Sequence, residues 1–74
     1  MTTVKVLIDS IQKVKEFSSI IARWNVECEL VDGPRILDAK SIMGIFSLNL
    51  SKPLELRIHS DNANLVESIR KFIV

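Results

Sequence analysis

The sequence predicts a two-layer α+β domain, in which one four-stranded sheet carries three helices on one face. Two observations lead to this fold class. Apolar residues alternate with a period of two in some segments and recur at steps of three and four in others. These segments follow one another in the order βαββαβα, and 74 residues leave room for one hydrophobic core. We therefore expect a single domain over residues 1–74.

The chain begins with a predicted strand and an amphipathic helix. The inward positions of the strand are Val4, Val6 and Ile8. Asp9 and Ser10 are both acceptable N-caps for the helix, and Asp9 with Gln12 also has the form of a capping box. The apolar face of the helix is formed by Ile11, Val14, Phe17, Ile20, Ile21 and Trp24. We expect Phe17 and Trp24 to pack in the core and not to bind a ligand.

The middle of the chain predicts a hairpin and then a short helix. A strand with Val26, Cys28 and Leu30 facing inward reaches the turn signal Asp32-Gly33-Pro34, and a third strand covers residues 35–37. We expect Cys28 to be a buried, unreactive thiol. The short helix is predicted over residues 40–48, with Ser41 as N-cap. Gly44 weakens this prediction, because glycine inside a helix costs about 1 kcal/mol relative to alanine.

The last part of the chain predicts a strand and a final helix. The strand has Leu54, Leu56 and Ile58 on its inward side, and His59 at its end. The helix is marked by apolar residues at helical spacing, namely Leu65, Val66, Ile69, Phe72 and Ile73. We expect His59, the single histidine, to lie on the surface or at the rim of the sheet.

Composition argues against several classes of function. The net charge is +1, which favours neither nucleic acid nor an anionic membrane surface as a partner. Apolar runs are too short for membrane insertion, and the N-terminus does not resemble a signal peptide. One unpaired cysteine agrees with a cytoplasmic location. The sequence has no phosphate loop, no metal-ligand cluster and no nucleophile–base pair, so we expect no enzyme, metal or cofactor.

The predicted short helix carries the most specific motif, Lys-Ser-Ile-Met-Gly-Ile-Phe-Ser-Leu at residues 40–48. It resembles the regulatory-serine region of the HPr family, the phosphocarrier of the phosphoenolpyruvate-dependent sugar phosphotransferase system. In low-GC Gram-positive bacteria that region typically reads Lys-Ser-Ile-Met-Gly-(Val/Leu)-Met-Ser-Leu. The order of elements is also that of the family. The resemblance implies an open-faced β-sandwich with a four-stranded antiparallel sheet.

The chain departs from this family in the loop that carries its active histidine. The family loop reads Gly-(Ile/Leu)-His-Ala-Arg-Pro-Ala, whereas here Ser10 is followed directly by Ile11. Alignment of both flanks leaves a short gap that contains the histidine. Gln12 then stands at the position of the family arginine and Lys13 at that of the proline. The resemblance therefore implies a variant that lacks the phosphate-accepting loop.

The resemblance also implies which residues act. Ser41 matches the serine that HPr kinase phosphorylates, although it could serve only as an N-cap. Three neighbours, together with Lys40, match an exposed patch that docks partner proteins, although core packing fits their spacing equally well; they are Ile42, Met43 and Phe46. We assign Ile45 and Leu48 to the core. A helix N-terminus at Ser10, Gln12 and Lys13 could hold an anion without transferring it.

Together these features predict a noncatalytic, HPr-like docking protein with a phosphoserine switch at Ser41. Its expected partners are proteins of the phosphotransferase system, HPr kinase or a transcriptional regulator, as in catabolite-repression homologues whose active histidine is also replaced. Two alternatives remain open. One is a structural or oligomerising module that keeps only the fold. The other is a regulatory domain that binds a small molecule. The oligomeric state stays open.

Overall fold

A computed structural model describes residues 1–74, and its elements follow the predicted order. The strands are β1 (Thr2–Val6), β2 (Cys28–Asp32), β3 (Arg35–Asp38) and β4 (Leu54–Ile58). The helices are α1 (Ile11–Ala22), α2 (Ile42–Ile45) and α3 (Ala63–Ser68), and a single 3-10 turn follows at Arg70–Phe72. The predicted α+β class and the order βαββαβα are therefore confirmed.

The four strands form one antiparallel sheet in the order β1-β4-β2-β3. Leu56 of β4 lies in register with Val4 on one side and with Leu30 on the other. Alternate residues of each strand point to the same side, so these apolar side chains share one face. The opposite face carries polar residues such as Lys5, Glu55 and Arg57, which lie in the alternate register positions.

The core lies between the apolar face of the sheet and the helices. It joins strand residues such as Val6 and Leu30 to residues of the helical layer in one buried cluster. The helical contributions are Val14, Phe17, Ile21, Ile45, Leu65, Ile69 and Phe72. Phe17 and Phe72 meet edge to face, with ring centroids 5.6 Å apart. The helices thus cover one face of the sheet, as predicted.

The turn between β2 and β3 contains two residues, Gly33 and Pro34, and Gly33 has a φ of 59°. Proline locks its own φ near −65°, so the turn cannot have two residues with positive φ. A glycine with positive φ followed by proline is the arrangement of a type II′ turn, whose twist matches that of paired strands. The turn signal in the sequence therefore has a specific backbone cause.

The first helix begins at one of its two predicted caps and ends earlier than its apolar spacing predicts. Ser10 is the N-cap, and its Oγ accepts a hydrogen bond from the Lys13 backbone N–H at 3.1 Å. Asp9 instead forms an ion pair with the Lys13 side chain, so the predicted capping box from Asp9 to Gln12 is wrong. The helix ends at Ala22, and Trp24 lies beyond it, half-buried at the edge of the core.

Other element boundaries also move. The second strand begins at Cys28 and not at Val26, and the predicted helix over residues 40–48 is one turn long, at Ile42–Ile45. The final helix breaks after Ser68, whose Oγ donates to the Leu65 carbonyl at 2.6 Å. Such a bond competes with the helical ladder, and Ile69 leaves the helical conformation.

The residues after the final helix pair with the sheet, which the sequence pattern did not predict. The Leu7 N–H donates to the Phe72 carbonyl at 2.8 Å, and the Val74 N–H donates to the Lys5 carbonyl at 3.0 Å. Val6 and Ile73 form an isolated antiparallel bridge between these bonds. The C-terminal segment therefore covers the outer edge of β1 near its end.

Candidate functional site

The helix α2 begins at Ser41, the residue that the sequence marks as a phosphorylation candidate. Ser41 is exposed, and its Oγ accepts a hydrogen bond from the Gly44 N–H at 3.3 Å. A Cβ added to Gly44 would lie 3.1 Å from that oxygen, which is closer than most Cβ contacts and requires the hydroxyl to shift by a few tenths of an ångström. The Ser41 hydroxyl is therefore the nearest group that a side chain at position 44 would meet.

The apolar residues of the motif divide between surface and core. Met43 is 82% exposed and Phe46 is 42% exposed, whereas Ile42 is half-buried. Ile45 and Leu48 are buried, which confirms their assignment to the core. We use the name docking patch for Ile42, Met43 and Phe46. Met43 lies in α2 and Phe46 directly follows it, and neighbouring exposed Met and Phe side chains fit a candidate contact surface.

The far end of α2 is held by an arginine from β3. The Arg35 guanidinium donates from Nη1 to the Ser47 carbonyl and from Nη2 to the Ser47 Oγ, both at 2.7 Å. The Ser47 hydroxyl donates onward to the Gly44 carbonyl at 2.6 Å. Sequence reasoning missed Arg35, because no local pattern links it to a serine 12 residues later.

Lys40 joins this region to the end of α1. Its Nζ donates to the Trp24 carbonyl at 2.8 Å, and its backbone N–H donates to Asp38 Oδ1 at 2.9 Å. A cation at the C-terminal end of a helix complements the helix dipole. Lys40 was predicted to contact partners beside Ser41. The structure places its ammonium group on the Trp24 carbonyl just beyond the first helix, and its docking role stays a prediction.

The connection between β1 and α1 consists of Leu7, Ile8, Asp9 and Ser10, and it holds no histidine. The Lys13 ammonium group lies 3.0 Å from Asp9 Oδ1, and this hydrogen bond holds the pKa of Asp9 below its usual value. An anion at this helix terminus would compete with Asp9 for Lys13. Gln12 is exposed and free of such contacts, so anion binding at Ser10, Gln12 and Lys13 stays a prediction.

The single histidine lies elsewhere on the sheet. His59 follows β4, is exposed, and its Nε2 lies 2.9 Å from Glu29 Oε1. This placement agrees with the predicted surface position. Cys28 is buried on the core side of β2, and desolvation raises the pKa of its thiol. A buried thiol that resists ionisation is a poor nucleophile, as we expected.

The rest of the surface adds little chemistry. A shallow depression of about 360 Å³ lies beside the hairpin turn on the polar face of the sheet. Its two carboxylates, Asp32 and Glu55, are already paired with Lys52 and Arg57. No three His, Cys, Asp or Glu residues are grouped as metal ligands would be. None of the helices has the length and apolar character needed to cross a bilayer.

The chain is similar to known proteins in its fold, and its sequence shows no significant similarity to a family model or a curated protein. Among solved structures, the chain is similar to HPr-C-His from Thermoanaerobacter tengcongensis, with a TM-score of 0.80 and 20% identity. The similarity covers 96% of this chain and 89% of that one.

The chain has the HPr fold. The expectation drawn from the motif at residues 40–48 is thereby confirmed for the architecture. At 20% identity the likeness says nothing about partners or chemistry, since one fold serves many functions. Function has to be argued from the surface of α2 and from the connection before α1.

Proposed function

We propose that this chain is a regulatory docking protein related to the HPr phosphocarriers, and that it does not carry phosphohistidine. The observation that supports this most directly is the exposure of Met43 and Phe46, at 82% and 42%, beside an exposed Ser41. An exposed apolar pair is costly to keep in water and suits a contact surface. The partners would be proteins of the phosphotransferase system, HPr kinase or a transcriptional regulator.

The absence of phosphohistidine transfer is proposed from the connection before α1. Transfer needs an imidazole at an anion-stabilising position such as a helix N-terminus. The residue that precedes α1 is Ser10, and the only histidine, His59, bonds Glu29 at the end of β4. Incubation with phosphoenolpyruvate and enzyme I should give no acid-labile phosphate, while an HPr control is labelled. Phosphate on His59 would overturn this part of the proposal.

The switch is proposed at Ser41. Its hydroxyl is exposed at the start of a helix, where a phosphate with a charge of about −1.5 to −2 is favoured by free N–H groups. Incubation with HPr kinase and ATP should phosphorylate wild-type protein, and a Ser41→Ala variant should stay unlabelled. Labelling of both proteins would place the modification elsewhere, and labelling of neither would remove the switch from the proposal.

Docking is proposed through the patch and can be tested with the same kinase. Replacing Met43 and Phe46 together by serine should raise the KM for phosphorylation of Ser41 at least about tenfold, because apolar anchors dominate such contacts. Ile36→Ser provides the control, since Ile36 is 54% exposed but lies on β3. An equal effect of both changes would contradict docking through the patch. Absence of Ser41 phosphorylation, together with no binding to phosphotransferase-system or regulator proteins in a pull-down, would favour a module that keeps only the fold.

A further inference from the structure

We infer that Arg35 is a positioning residue, which holds the docking patch in the shape that it presents to a partner. This inference rests on the proposed function, because positioning matters only if the patch docks. Arg35 itself lies at the start of β3 and is not part of the family-like motif at residues 40–48. Its link to the patch exists only in the folded chain.

The need for such a residue follows from the length of α2. The helix contains four residues, Ile42–Ile45, and a single turn forms too few hydrogen bonds to be stable by itself. Met43 adds nothing to its anchoring, because it is 82% exposed. The shape of the turn therefore depends on Ile45 in the core, on the half-buried Ile42 packed against the core, and on the contacts at its two ends.

At the N-terminal end of α2, the hydrogen bond from Gly44 to Ser41 is long. Ser41 accepts one hydrogen bond from the Gly44 N–H, at 3.3 Å. At the second end Arg35 bonds both the carbonyl and the hydroxyl of Ser47 at 2.7 Å. Charge-assisted hydrogen bonds are about twice as strong as neutral ones, and the planar guanidinium fits two acceptors at once. The firmer contact thus lies next to Phe46.

Arg35 connects the docking patch to the sheet. It lies in register with Asp32 of β2, directly after the Gly33–Pro34 turn, so its backbone is fixed by the hairpin. Its guanidinium takes part in none of the ion pairs of the molecule. It donates two hydrogen bonds to Ser47 instead. The Ser47 hydroxyl in turn donates a hydrogen bond to the Gly44 carbonyl. The hairpin therefore restrains the segment that carries Phe46.

The test compares four variants. Arg35→Met keeps the apolar part of the side chain and removes the guanidinium. Arg35→Lys keeps the charge, but a single ammonium group cannot reach both oxygens of Ser47. Ser47→Ala removes one acceptor without changing Arg35. The control is Arg70→Met, because Arg70 is an exposed arginine that pairs with Glu67 away from α2. Amide hydrogen exchange at residues 46–48 is measured against Leu56 in the central strand β4, and KM and kcat are measured with HPr kinase.

Arg35→Met should speed exchange at residues 46–48 about tenfold while Leu56 stays unchanged, because only local opening is affected. Ser47→Ala should have a smaller effect in the same direction. Arg35→Met should raise KM at unchanged kcat, and Arg35→Lys should restore less than half of either change. The inference would be overturned if exchange at residues 46–48 were equally fast in Arg35→Met and Arg70→Met. Wild-type exchange rates in Arg35→Lys would also overturn it.

The two proposals fail separately. If wild-type protein is not phosphorylated by the kinase, the switch of the proposed function fails, and the exchange rates still show whether Arg35 holds the segment. If phosphorylation depends on Met43 and Phe46 but exchange is indifferent to Arg35 and Ser47, docking stands and positioning by Arg35 is rejected. Ser47→Ala supplies the answer if Arg35→Met does not fold.

Discussion

Ser41 and Gly44 lie within one turn, where a side chain at position 44 would contact the N-cap. The Ser41 Oγ occupies space that a Cβ on Gly44 would need, at a distance of 3.1 Å. Alanine at position 44 would favour the helix by about 1 kcal/mol, but it would press on the N-cap. Loss of an N-cap costs about 0.5–2 kcal/mol. The two effects oppose each other within a single turn.

Gly44→Ala should therefore change the free energy of unfolding little in the wild-type background. In a Ser41→Ala background, where the clash is absent, the same change should stabilise by about 1 kcal/mol. Urea unfolding of the four proteins in this double-mutant cycle measures the coupling between the two positions. Equal effects of Gly44→Ala in both backgrounds would show that the two residues act independently.

At the scale of elements, the hairpin depends on one backbone conformation. Gly33 has a φ of 59°, and no atom beyond its two chain neighbours lies within 4 Å of the place where the Cβ of an L-residue would be. Any cost of a side chain at this position is therefore conformational and not a clash. L-alanine and D-alanine at this position therefore differ in their preferred φ but not in volume, so comparing them tests the backbone conformation alone.

Gly33→Ala should destabilise the protein by about 1 kcal/mol, because an L-residue resists positive φ. D-alanine at the same position has the same volume and the opposite preference, so it should stabilise the protein slightly. Thermal unfolding of the two synthetic proteins against wild type measures both effects. Destabilisation by both enantiomers would mean that the space at the turn, and not its backbone, sets the preference.

Helix and strand identities were predictable because their apolar spacing is local. The alternation of Leu54, Leu56 and Ile58 predicted β4 correctly, because the apolar or polar character of each side chain indicates which face of the strand is buried. The end of α1 was not predictable in this way, because Trp24 continues the helical spacing although the helix ends at Ala22. The N–H groups of Arg23 and Trp24 then bond carbonyls three residues back. Spacing records which residues face the core, and it does not record where the hydrogen-bond ladder stops.

For the candidate site, the motif predicted the segment but not its support. Ser41 could be named because its role as N-cap depends on residues of the same turn. Arg35 could not, because its contact with Ser47 exists only after the hairpin packs against α2. Similarly, the pairing of Val74 with Lys5 joins opposite ends of the chain. Contacts of this kind leave no periodic signal in a single sequence.

At the scale of the whole molecule, exposed ion pairs make the stability depend on pH. The hydrogen bond from Lys52 lowers the pKa of Asp32 from its usual value of 3.8, and Lys13 has the same effect on Asp9. A carboxyl group whose folded-state pKa is lowered stabilises the protein above its unfolded-state value. That contribution is lost as the pH falls through the folded-state pKa.

Replacing Asp9 and Asp32 by asparagine should therefore flatten the decline of stability between about pH 5 and pH 2. Urea midpoints of wild type and variant should differ most above pH 4 and converge in acid. High salt should reduce the difference mainly through the pair of Asp9 and Lys13, because the Asp32 side chain is only 14% exposed. Glu27→Gln is the control, since Glu27 is exposed and outside the ion pairs. Parallel pH profiles of wild type and the double variant would contradict this account.

The bond from Lys40 Nζ to the Trp24 carbonyl also gives the molecule an intrinsic optical reporter. Trp24 is the only tryptophan, and Lys40 is the immediate neighbour of Ser41. A phosphate on Ser41 adds negative charge at the residue next to Lys40 in the chain, and we expect it to compete with the Trp24 carbonyl for the ammonium group. The emission wavelength of Trp24 should then follow events at Ser41 without any attached dye, and the shift should disappear in a Lys40→Met variant.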